Sequence, residues 1–302
     1  MSRKLISFDW AMKHLLRNKA NFDILEGFLS ELLGKDVLIE EILESEGNQN
    51  TQNDKFNRVD LLTRIEGGPH VIIEVQCDQQ LDYLSRVLYG ACKLITEQME
   101  KGHPYVQVKK VISISIVYFD LGKGSDYIYR GTTQYVGIHN GDLLQLQEDE
   151  LDAYREKASA SPKTVEEIYP EYYLLKVNLF SQVVQDKLDE WMYFLQTEKI
   201  EPHFTAKGLP AAKEKLDLLK LSPKERKEYD SYWESISQEN SMILSHYEKG
   251  KWTGREEGRK QGREEGREEE KRAIAKNLLG MMRPEEVARV TGLSLEEIEK
   301  CK

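Results

Sequence analysis

The chain has 302 residues, 39% of them hydrophobic and 32% charged, with 43 Lys+Arg against 53 Asp+Glu and a formal net charge of −10. That length accommodates one large domain with appendages, or two domains, and no apolar run approaches the roughly 20 residues needed to cross a bilayer. A global basic charge is absent, so a hold on nucleic acid would need a local patch, since affinity follows the phosphates contacted and not the total charge.

The opening MSRKLISFDWAMKHLL has no apolar h-region and no small-residue cleavage site. It therefore does not read as a signal peptide, and a cytoplasmic location is the expectation. Cys77, Cys92 and Cys301 form no CxxC and cannot build a disulfide framework, in keeping with a reducing compartment; ordinary burial is expected for Cys77 and Cys92.

Residues 8–34 carry apolar side chains at helical spacing, from Phe8 and Met12 to Leu32 and Leu33, with a break at Asn18–Asn21. This predicts two helices, the second closed by Gly34. Val37 to Leu43 predicts a strand, and SEGNQNTQND (45–54) a polar loop. RVDLLTRI and HVIIEVQC, separated by Glu66–Pro69, predict a hairpin. A helix is expected over about 80–100, with Leu81, Leu84, Leu88, Cys92 and Ile95 on one stripe. KVISISIVYF is β-branched and nearly all apolar, which predicts a buried strand. Weaker strands are expected near 127–138 and at 172–180. Beyond 182 the pattern is helical: 188–196, 209–220, and 222–236 with Ser222 as N-cap and Pro223 at N1.

Gly254, Gly258, Gly262 and Gly266 recur every four residues in the charged stretch 250–270. On a helix they share a slowly drifting stripe. Each costs roughly 1 kcal/mol relative to Ala, while i,i+4 ion pairs return a few tenths. The stretch reads either as a charged spacer or as a close helix–helix contact. The tail, 273–302, has a helix, turn and helix, readable as a helix-turn-helix half or as a docked, dimer-forming element. Residues 1–180 are thus expected to form an α/β core, 181–248 a helical extension, 249–272 a charged Gly-repeat helix or linker, and 273–302 a small helical tail.

Asp60 and Glu74 each interrupt an apolar strand, where nothing local pairs them. Burying a carboxylate costs several kcal/mol unless a cation or donors compensate. A divalent metal would be a natural shared partner, since oxygen ligands suit Mg²⁺. Glu74 and Gln76 face the same side of their strand. In an antiparallel pair the opposed residue numbers have a constant sum, so Asp60 joins that side only if the sum is even. A two-residue Gly67–Gly68 turn would make it odd. A three- or five-residue loop, or one bulge, is therefore expected.

The run R-V-D60-L-L…H-V-I-I-E74-V-Q76 resembles the PD-(D/E)xK nuclease core in its D…ExQ form, and more specifically the Rpn family of recombination-promoting nucleases and putative transposases. D9-W-A-M-K13-H-L-L, S85-R86-V-L-Y89, VISISIVYF, LDEWMYFL and the Gly-repeat tail add to the match. The resemblance implies a restriction-endonuclease-like α/β core, a mixed sheet flanked by helices, with a mostly helical C-terminal region. It implies a Mg²⁺-dependent DNA endonuclease of recombination or mobile elements, with Asp60, Glu74 and the Val75 carbonyl holding the metal and Gln76 completing the catalytic set. Gln76 stands where the superfamily usually has Lys; it can hydrogen-bond a water but brings no charge. Lys13, Lys55, Arg58 and Arg86 are the candidate cations toward DNA, each readable also as a solvated surface charge. Asp9 reads as a helix cap before an active-site neighbour, and Glu40 and Glu41 as an exposed pair. The expected partners are DNA and further copies of the chain through its C-terminal helices, and no membrane. The other reading is a non-catalytic DNA-binding or oligomeric interaction protein on a nuclease fold.

Overall fold

The computed structural model describes residues 5–301 apart from 15, 44–59, 67, 78, 100–101, 103, 158–163 and 218–219. The chain divides into two compact units, 1–226 and 227–302.

The first unit opens with the two expected helices, α1 (Phe8–His14) and α2 (Phe22–Leu33). Between them a short 3₁₀ turn is capped by the Asn18 side chain, which accepts from the Ala20 N–H at 3.0 Å. Gly34 ends α2 in the left-handed conformation, φ 66°, where an L side chain would be strained. The strands follow as β1 (Ile39–Leu43), β2 (Leu61–Ile65) and β3 (His70–Gln76). Helix α3 (Tyr83–Glu97) leads to β4 (Val111–Val117), β5 (Ile128–Gly131) and α4 (Glu148–Lys157). Then come β6 (Glu171–Lys176), α5 (Lys187–Thr197) and α6 (Leu209–Lys215).

The six strands form one sheet in the order β1-β2-β3-β4-β6-β5. The central strands β3, β4 and β6 run parallel, while β1, β2 and β5 are antiparallel to their neighbours. All seven residues of β4 are buried, as its continuous apolar composition demands of a strand covered on both faces. This is the mixed, helix-flanked α/β sheet expected from the sequence.

Helix α3 covers one face of the sheet. At one end of that face Ala91 packs with Leu62, Ile72 and Val111. At the other, Tyr83 packs with Val117 and Phe119. The expected phase of this helix is corrected by the structure. Leu81 lies outside it and is 100% exposed, and Leu84, Leu88 and Cys92 are exposed as well, leaving only Ile95 of that stripe packed inward. The face turned to the sheet carries Tyr83, Val87, Ala91 and Leu94 instead. Cys77, expected to be buried, is exposed too.

Helices α1, α2 and α5 meet in an aromatic cluster, with Phe8, Phe28, Trp191 and Phe194 in edge-on pairs at centroid distances of 5.2–6.2 Å. The Trp191 indole donates to the Lys207 carbonyl, which seats the 207–208 turn against α2. The approach there is so close that a Cβ on Gly27 would lie 2.3 Å from the Gly208 nitrogen.

The second unit is helical. Helix α7 (Pro223–Leu278) starts as expected with Pro223, and Ser222 and Glu225 close a reciprocal cap ahead of it. It runs through the whole charged Gly repeat, where a Cβ on Gly254, Gly258, Gly262 or Gly266 would meet nothing within 4 Å among the described residues. Helices α8 (Pro284–Thr291) and α9 (Leu295–Glu299) follow, turning at Gly292. Val287, Leu293 and Ile298 pack with Ala275 of α7 into a small core. Among the described residues no helix is long and apolar enough to cross a membrane.

Candidate active site

Register decides which side chains share a face. Leu61 opposes Ile73 and Leu62 opposes Ile72, a constant sum of 134. The Ile65 N–H donates to the Pro69 carbonyl, so the hairpin closes around the three residues 66–68. The sum is even, and Asp60, one residue before β2, therefore belongs to the same face as Glu74. Its carboxylate reaches the neighbouring strand directly: Asp60 Oδ2 accepts from the Val75 N–H at 2.7 Å. The Asp60 carbonyl in turn accepts from Arg17 at 2.8 Å, which ties the end of the α1 segment to the hairpin.

On the next strand Ser115 pairs with Glu74, and Val117 with Gln76. Glu74 thus sits on the face covered by α3, between the cluster around Ile72 and the cluster around Val117. It is 7% exposed. Burial raises its pKa above the ordinary value, Arg86 opposes that shift, and the neighbouring charge of Asp60 adds to it. Arg86, one turn into α3, approaches Glu74 Oε1 at 3.4 Å and donates to the Gln80 side chain at 3.1 Å. Two carboxylates and one guanidinium are thereby brought to the ends of β2 and β3.

Tyr83, the first residue of α3, is fully buried beneath this group. Its ring stands edge-on to Phe119 at 5.7 Å. Burial, with Glu74 and Asp60 nearby, pushes its hydroxyl well above the ordinary tyrosine range, while Ser115 and Arg86 act in the opposite sense.

The other sequence candidates lie as follows. Gln76 is the last residue of β3, half-buried on the Glu74 face. Lys13 is in α1; its side chain lies outside the described residues, as do Lys55 and Arg58 entirely. Asp9 sits inside the first turn of α1 and not ahead of it, where it complements the helix dipole without being the N-cap. Glu40 and Glu41 are half-exposed and pair with Arg64 at 2.9 and 2.7 Å. Arg17, Tyr83 and Ser115 were not singled out by the sequence. Arg17 falls in the break between two helices, and Tyr83 and Ser115 sit in runs whose periodicity is satisfied by packing alone.

Among the described residues no group of three or more His, Cys, Asp or Glu side chains is placed to hold a metal ion. The donor set of two carboxylates on one face still suits Mg²⁺, which dehydrates reluctantly and is commonly held by one or two carboxylates with waters completing its shell. It does not suit a site built wholly of side chains.

No curated protein and no solved structure matches the chain. Residues 6–144, from α1 through the hairpin and α3 to beyond β5, match the family described as PD-(D/E)XK nuclease family transposase. The chain after residue 144, with α4, strand β6 and the later helices, lies outside that match. Over the matched span, which holds Asp60, Glu74, Gln76 and Arg86, the chain is similar to the PD-(D/E)XK nuclease family transposases.

Proposed function

We propose that this protein is a DNA endonuclease that hydrolyses phosphodiester bonds with a divalent cation, Mg²⁺, held by Asp60, Glu74 and the Val75 carbonyl. The observation that carries the reading is the shared face of Asp60 and Glu74, set by the hairpin register. When bound, such a cation polarises the scissile phosphate and lowers the pKa of an attacking water. Asp60 and Glu74 fix its position, Asp60 being itself oriented by the Val75 N–H. Gln76, on the same face, orients the water through its amide. Arg86, 3.4 Å from Glu74, supplies the positive charge that a Lys at position 76 would bring, and turns from Glu74 toward phosphate when the carboxylate is engaged elsewhere. DNA is the proposed partner, with Lys13, Lys55 and Arg58 as further candidate cations toward its phosphates. Work on recombining or mobile DNA inside the cell, by a homo-oligomer joined through its C-terminal helices, completes the proposal.

Plasmid nicking in Mg²⁺ is the test. Wild-type protein nicks, and Asp60→Ala and Glu74→Ala each lose at least about 100-fold of the rate, a loss of roughly 2.7 kcal/mol of transition-state stabilisation. Equal nicking by all three proteins would remove the claim. A second reading, a DNA- or protein-binding module without catalysis, draws support from Gln76 and from Arg86 lying on Glu74. Salt-sensitive DNA binding without any metal binding would favour it.

A further inference from the structure

Among the described residues the buried Tyr83 hydroxyl has no hydrogen-bond partner. An unmade bond at a buried donor costs about 1–3 kcal/mol, and each such group in a native fold calls for an explanation. A phenylalanine would fill the same space against Val117 and Phe119 without that cost. Position narrows the explanation. Tyr83 packs on Val117, the strand partner of Gln76, and its hydroxyl lies within electrostatic reach of Glu74, Arg86 and Asp60, with Ser115, the strand partner of Glu74, beside it. Yet none of these makes a well-formed bond to it, and among the described residues Glu74 Oε1 is engaged only by the long 3.4 Å contact to Arg86. A carboxylate has about four lone-pair sites, and metal-ligating carboxylates are themselves held by hydrogen bonds from behind.

We propose, resting on the reading that Asp60 and Glu74 hold a divalent cation, that Tyr83 is a positioning residue of that centre: its hydroxyl donates to the Glu74 carboxylate and holds it in the ligating orientation. The bond is made as Glu74 turns from Arg86 toward the cation. The orphaned donor is then the mark of a site poised for its ligand, and it acts through Glu74 without touching the reacting atoms.

The test is calorimetric titration of the full chain with Mn²⁺ in the absence of DNA, beside thermal unfolding without metal. Tyr83→Phe removes one oxygen and keeps the ring. It is expected to weaken Mn²⁺ binding about 10-fold or more while leaving the unfolding temperature equal to or above that of wild type. Ser115→Ala is expected to stay within about twofold of the wild-type affinity. Wild-type affinity in Tyr83→Phe, with Asp60→Ala unable to bind, overturns the role of Tyr83 and leaves the metal site standing. An equal loss in Ser115→Ala and Tyr83→Phe gives the hydroxyl to Ser115 and also overturns it. Absence of Mn²⁺ binding by wild-type protein overturns both this role and the assignment of Asp60 and Glu74.

Discussion

Glu74 keeps a carboxyl between two apolar clusters, a position that costs several kcal/mol unless something compensates. Arg86 compensates in part, from 3.4 Å and with its own side chain one-third exposed. His70, at the other end of the same strand, meets the same physics with the opposite sign. Burial, with Lys109 and Arg64 nearby, lowers its pKa from 6.5 to about 4. The folded protein therefore holds this ring neutral where the unfolded chain would protonate it. Stability tied to His70 is complete above pH 6.5 and is lost as the pH falls through the window from 6.5 to about 4. The slope in that window reaches at most about 1.4 kcal/mol per pH unit. Denaturant unfolding of wild type and His70→Gln, compared from pH 4 to 7, should show the wild-type slope and its loss in the variant. Parallel curves would mean that His70 titrates normally.

At the scale of elements, the hairpin register was readable because alternation has a period of two and a slip of one residue changes every face. The alternation of RVDLLTRI and HVIIEVQC gave the condition, and requiring Asp60 and Glu74 to share a face then led to the three-residue loop and even sum that the hairpin shows. The phase of α3 was not readable. Leucines at 81, 84 and 88 compose a stripe as good as Tyr83, Val87, Ala91 and Leu94, and periodicity alone does not say which of the two turns to the sheet. The choice has a direct check. Ala91→Leu should cost about 1–3 kcal/mol by overpacking, whereas Leu88→Gln should stay within about 0.5 kcal/mol as a surface change. Chemical denaturation of both variants measures this, and the reverse ranking would restore the leucine stripe. The cations nearest the acids were legible only in part: Arg86 was found through the family pattern, while Arg17 reaches Asp60 across 43 residues of sequence, a contact no local pattern encodes.

For the whole molecule, the family match ends at residue 144 while the second compact unit begins at 227, so the tail's purpose must be read from its own surface. A Cβ added at any of the four repeat glycines of α7 would meet nothing within 4 Å among the described residues. Each Gly there forgoes roughly 1 kcal/mol of helix propensity, a cost that a close contact with a second copy would offset. Deleting 250–302 should then lower the molar mass seen by light scattering from oligomer to monomer, and an unchanged mass would leave the stretch as a charged spacer. The central claim, however, lies in the first unit: Asp60 and Glu74 grip one ion. An anomalous difference map from a crystal soaked in Mn²⁺ tests it most directly. The account predicts one peak about 2.0–2.3 Å from a carboxylate oxygen of each residue; a map with no peak between them, or with the two carboxylates turned apart, contradicts it.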